Sequence, residues 1–168
     1  MCTRAATDRR AALALLVIAA ACRPTEELPR DEVLAWLTCM DCIDGEAADV
    51  VGLGEEAVPE LRRALDGPPA MLADSVRARS LHDWERTARF SISEGQPVPM
   101  GRDEFLDEEV ERFATAYRMR AADALGRIGG SRARAALLGA TADGERDPAF
   151  PPLLLRALIR AVARTDGG

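Results

Sequence analysis

The chain has 168 residues with 22 basic and 28 acidic side chains, a formal net charge of -6, 48% apolar and 30% charged residues. That balance suits one folded domain and excludes a disordered or low-complexity chain. The acidic excess argues against a dedicated nucleic-acid binder. Every basic residue is arginine.

The chain opens with Arg4, Arg9 and Arg10, followed by the uncharged run Ala11 to Ala21. Eleven apolar residues are too few to cross a bilayer as a helix, which takes ~20. They fit the apolar core of an export signal, and small Ala19, Ala20 and Ala21 precede Cys22 as a signal peptidase requires. Two alternatives remain on these residues: a plain secretory cut after Ala21, and a buried helix of the fold. Ile18-Ala19-Ala20-Ala21-Cys22 resembles a bacterial lipobox, with Ala19 where leucine is commonest. The resemblance implies that Cys22 is the lipidated first residue of an exported protein. The membrane partner is then reached through acyl chains on Cys22. Arg23, rather than aspartate, follows it and favours the outer over the inner membrane where two exist. The expected organisation is a signal peptide over 1–21, a tether over 22–28 and a helical domain over 29–166.

Cys39 and Cys42 remain in Thr38-Cys39-Met40-Asp41-Cys42. Export to an oxidising compartment predicts a disulfide between them. The competing reading is thiol-disulfide exchange, which needs a stabilised thiolate. Asp41 and Asp44 place negative charge against that. A zinc site wants about four ligands, and these two thiols with the lone His82 fall short.

All later segments read as helices. The first runs from Pro29 to Met40, with Val33, Leu34, Trp36 and Leu37 on its apolar side. Asp44 caps a second over 45–53, and a third covers 55–65 with Val58, Leu61, Ala64 and Leu65 inward. Gly67-Pro68-Pro69 stops it. A long helix over 70–92 carries Leu72, Val76, Trp84 and Ala88 at fours with Ser80 between them, and Trp36 and Trp84 are expected in the core. After the loop 95–101, a helix over 103–128 bears the strongest stripe in the chain: Leu106, Val110, Phe113, Ala114, Tyr117, Ala121, Ala124, Leu125 and Ile128. Gly129-Gly130 breaks it, Ser131 caps a short helix to Ala140, and Asp147-Pro148 open a last helix over 149–164. Only Phe90 to Ser93 hints weakly at a strand.

Arg120 to Leu138 (RAADALGRIGGSRARAALL) aligns with Glu46 to Leu65 (EAADVVGLGEEAVPELRRAL). Each is an apolar helix end, a glycine turn and an Ala/Leu second helix. The pair resembles the short HEAT-like repeat of the phycobilisome-lyase type. The resemblance implies an all-α fold, a short right-handed α-α superhelix of stacked pairs. The segment between them is then a long inserted or divergent central helix pair. It also implies a protein-binding groove along the second helices, near Glu60, Arg62 and Arg63 and near Arg132 to Ala136. No residue carries over a lyase chemistry.

Arg156, Arg160 and Arg164 lie four apart on the last helix, the one basic stripe of an acidic chain, suited to an acidic partner or anionic lipid. The acidic cluster Asp103 to Glu111 suits a solvated helix start, and His82 reads as a structural or surface residue. The expected function is a non-enzymatic cell-envelope lipoprotein that binds an unidentified envelope protein. No cofactor, metal or small-molecule substrate is implied. The alternative is a periplasmic thiol-disulfide oxidoreductase using Cys39 and Cys42.

Overall fold

The computed structural model describes residues 30–39, 47–98 and 100–165. The expected signal, the tether, Cys22, Cys42 and the Asp44 cap lie outside them. The described residues form seven α-helices and one 3-10 turn, with no strand among them. They are α1 Asp31–Thr38, α2 Ala48–Gly52, a 3-10 turn Gly54–Glu56, α3 Val58–Asp66, α4 Ala70–Ser93, α5 Arg102–Ile128, α6 Gly130–Arg146 and α7 Pro152–Thr165. Phe90 to Ser93 are the last turn of α4, not a strand.

The helix ends follow from local chemistry. Pro59 stands in the first turn of α3, where its missing N–H costs no hydrogen bond. The helix therefore begins at Val58, and the residues expected to open it form the separate 3-10 turn. Gly129 ends α5 with φ 67 and its N–H bonded to the Leu125 carbonyl at 3.0 Å. This left-handed conformation is open to glycine at little cost.

Three expectations at the C-terminal end need correction. Gly129, not Ser131, occupies the cap position of α6, and no side chain caps it. The helix also runs to Arg146 instead of stopping near Ala140. Its late glycines do not end it, because Gly144 is buried against the ring of Phe150. The following turn uses Asp147, whose Oδ1 accepts the Ala149 N–H at 2.9 Å. The last helix accordingly starts three residues later than expected, at Pro152.

α5 is the axis of the fold and packs against each of the other six described α-helices. Its first half meets α4 in an antiparallel hairpin, and α4 makes its substantial contacts with α5 alone. The second half is enclosed: Ala121, Ala122, Ala124, Leu125 and Gly126 are all buried. Small side chains let neighbouring backbones approach, and a helix apolar on every side is a central one. Leu37, Leu61, Leu125, Leu137, Leu154 and Leu158 fill the core around Tyr117.

The stripe expected on α4 does face α5, but thinly. Ser80 and Ala88 are buried, whereas Leu72, Val76 and Trp84 are half-buried. Trp84 is not a core residue; its indole N–H donates to the Met100 carbonyl at 3.1 Å and ties down the hairpin loop. Trp36 does belong to the core cluster.

The two aligned segments lie side by side. α2 contacts the α5 helix, α3 contacts α6, and α3 also packs broadly on α5.

Candidate protein-binding grooves

Between α3 and α6 runs a groove of about 590 Å³. On α3, Val58, Leu61 and Ala64 turn inward, leaving Pro59, Arg62 and Leu65 to form one wall. On α6, Ala133 and Leu137 turn inward. Arg132, Ala135, Ala136, Gly139, Ala140 and Asp143 form the other wall at helical spacing. Small side chains keep this wall low, and a Cβ placed on Gly139 would meet nothing within 4 Å. The groove mixes charge, with Arg62 and Arg132 against Asp66 and Asp143. Arg132 is also 3.5 Å from Glu55.

A smaller cleft of about 260 Å³ adjoins it and shares Leu65, Asp66, Ala140 and Asp143. Arg118 reaches into this cleft from α5 and donates from Nη2 to the Asp66 carbonyl at 2.5 Å. Its Nε is buried without a partner among the described residues.

Not every expected groove residue lines the groove. Glu60 accepts from the Arg30 backbone N–H at 2.9 Å and from its Nε at 2.8 Å, so it fastens the start of α1 to α3. Arg63 stands near Tyr117. Burial pushes the Tyr117 hydroxyl up to about 12 from its ordinary 10, and the Arg63 charge partly opposes that rise.

A second groove, about 370 Å³, follows α5 and α7. Met119 and Ala161 contribute apolar surface, and Trp36 closes one side. Trp36 and Arg120 hold each other by two exchanged bonds. The indole N–H donates to the Arg120 carbonyl at 3.1 Å, and Arg120 Nη1 donates to the Trp36 carbonyl at 3.2 Å. The Arg120 guanidinium also sits 5.4 Å from the indole centre, within the range of a cation–π contact. Arg160 and Arg164 line this groove, and Arg164 pairs with Asp123 of α5. Arg156 is exposed outside it. The expected basic stripe is thus one tied arginine and two whose side chains enter no ion pair among the described residues.

A third groove, about 380 Å³, opens between α1, α4 and α5, lined by Leu34, Val76 and Phe113 with polar Arg79, Asp83 and Glu109. Cys39 follows the last residue of α1. His82 is exposed, and its neighbour Asp83 pairs with Arg86 at 2.8 Å. The acidic cluster is spread over arginine partners: Asp107 pairs with Arg77 at 2.8 Å, and Glu108 and Glu109 pair with Arg112. Among the described residues no group of three His, Cys, Asp or Glu side chains is placed to hold a metal. No described helix is long and apolar enough to cross a membrane.

Sequence reasoning missed Arg118 and Arg120 as cleft residues. Both look like ordinary charges beside an apolar stripe, and only the crowding of Ala121 to Gly126 hints that α5 is surrounded there. No known family, curated protein or solved structure matches the chain.

Proposed function

We propose that the chain is a non-enzymatic, lipid-anchored module of the bacterial cell envelope that binds another protein in the α3–α6 groove. The observation that carries this reading is the side-by-side packing of the two related segments, α2 on α5 and α3 on α6. Stacked HEAT-like pairs require that neighbour relation, because one pair cannot bury its apolar face alone. α4 and the first half of α5 are then the inserted central pair. The trough between the second helices supports protein binding, being long, low-walled and of mixed charge. Cys22 is the acylated residue of this reading, the outer membrane its favoured site, and Cys39 with Cys42 its disulfide.

Two measurements test it. Intact mass of the protein purified from membranes is expected to show a chain starting at Cys22 with attached acyl groups. A product that begins at Met1 without them overturns the anchor. A photoreactive residue at Ala136, in the groove, is expected to give a discrete protein adduct in intact cells. The same probe at exposed Glu85 is expected to give none. Identical labelling from both positions overturns the groove as the binding face.

A further inference from the structure

The outer face of α7 carries a second, chemically distinct surface. The helix Pro152–Thr165 contains three arginines and no acidic residue, in a chain whose net charge is -6. Leu154, Leu158 and Ala161 are buried. At 100° per residue this puts Leu153, Arg156, Ile159, Arg160 and Ala163 on the opposite side, with Arg164 at its edge against α5. There Leu153 is 61% and Ile159 49% exposed, large values for aliphatic side chains on a folded domain. They flank the arginines. Arg160 Nε reaches only the Arg156 carbonyl, at 3.3 Å, and neither side chain enters an ion pair among the described residues.

We propose that this face lies against anionic phospholipid. The guanidinium groups of Arg156 and Arg160 bind headgroup phosphates, while Leu153 and Ile159 enter the boundary of the acyl region. The flexible stems of arginine allow the charge to stay in the headgroup layer as the aliphatic residues go deeper. Cations flanked by aliphatics on a convex helix face suit a planar, deformable surface. An acidic protein partner would instead call for a pocket to receive each aliphatic side chain. The geometry of the anchor is compatible. Arg30 is eight positions after Cys22, a reach of at most ~28 Å. Trp36, in the helix that follows, lines the groove beside Arg160. The placement rests on the envelope reading only for its setting; the lipid chemistry belongs to α7 itself.

The test is partition of the full chain onto phosphatidylcholine vesicles, with and without about one-third phosphatidylglycerol. An acidic protein without such a face is repelled by the anionic vesicles. The expected result is the reverse: preference for phosphatidylglycerol, weakened by salt. R156Q/R160Q is expected to lower partition onto the anionic vesicles about 30-fold, with little change on neutral ones. The charge-matched variant R86Q/R89Q, on α4, is expected to keep the preference. Equal binding to both vesicles, or a preference that R156Q/R160Q leaves intact, overturns the proposal. An acyl chain binds both vesicle types, and an uncleaved leader would add its own preference through Arg4, Arg9 and Arg10, so the part of the preference that R156Q/R160Q removes is what reports α7. A chain purified from membranes without acyl groups, whose preference R156Q/R160Q abolishes, would overturn the lipoprotein reading and leave this one standing.

Discussion

Gly126 is buried in the second half of α5 at its closest approach to α7. A Cβ on this residue would lie 3.0 Å from Ala161 Cα, 3.0 Å from Ala161 Cβ and 3.1 Å from the Ala161 carbonyl oxygen. Two of those three atoms are backbone, so the strain cannot be relieved by rotating a side chain. Replacing glycine by alanine inside a helix ordinarily stabilises by ~0.8–1 kcal/mol, while overpacking a filled core costs ~1–3 kcal/mol. Gly126→Ala is therefore expected to lose the propensity gain and to destabilise by up to ~2 kcal/mol, a fall of up to ~8 °C in Tm for a chain of this size. Gly139→Ala supplies the opposite case. Gly139 is exposed within α6, and an added Cβ meets nothing within 4 Å. It is expected to show only the propensity gain, a rise of ~2–4 °C. Thermal unfolding followed by circular dichroism measures both. In a double-mutant cycle Ala161→Gly should cost less in the Gly126→Ala background than alone, because it removes one of the three contacts. A Gly126→Ala protein that gains as much as Gly139→Ala would refute the tight α5–α7 crossing. The position of Arg164 against Asp123 would then lose its support.

Tyr117 is the chain's single tyrosine, and its folded pKa of about 12 lies above the ordinary 10. Burial favours the protonated hydroxyl, so its stability contribution is intact below pH 10 and is lost as pH rises toward 12. An alkaline titration of tyrosinate absorbance should show little ionisation before unfolding, and Y117F should flatten the loss of stability over that window. Glu60→Gln weakens the hold on Arg30; we expect a loss of ~0.5–1 kcal/mol, since the arginine is part-exposed, and faster amide exchange confined to α1. Trp36→Phe removes the indole N–H bond and weakens the Arg120 contact, at ~1–2 kcal/mol, whereas Trp36→Ala also opens a cavity and should cost ~3–5 kcal/mol in denaturant unfolding. Cys39→Ser should leave a free thiol at Cys42 if the two are bridged after export, and mass spectrometry after alkylation counts it.

The helices were legible in the sequence because their signals are local. Apolar spacing gave α5 to within one residue, and Gly67-Pro68-Pro69 stops α3 one residue beyond the expected end. What was not legible depends on neighbours. The expected end of α6 near Ala140 misses its last turns, where Phe150 packs against Gly144. Glu60 reads as a groove charge until Arg30, thirty positions away, is found on it. Trp84 has the spacing of a core residue, but α4 lacks a second helix to cover it, so it serves the loop at Met100. For the candidate sites the same division holds. The small-residue wall of α6 and the arginines of α7 were visible as patterns, whereas the partner of Arg164 and the burial of Arg118 Nε arise from which helix lies across from them.

The two proposed surfaces are kept apart by α5. Arg118 and Arg120 are two positions apart on that helix, so their side chains leave it ~200° apart. Arg118 enters the cleft that continues the α3–α6 groove, and Arg120 enters the groove along α7. One helix, enclosed over its second half, thus supplies an arginine to each flank. A protein seated in the α3–α6 groove and a bilayer lying on α7 would occupy opposite flanks of the same axis and need not compete. A shift of α7 against α5 at Gly126 and Ala161 would move the arginines of the proposed membrane face directly, and would reach the proposed protein groove only through the adjoining cleft, which Leu154 and Leu158 line. Gly126→Ala should therefore disturb the preference for anionic vesicles before it alters adduct formation at Ala136, and the opposite order would mean that the two surfaces are not divided by this helix.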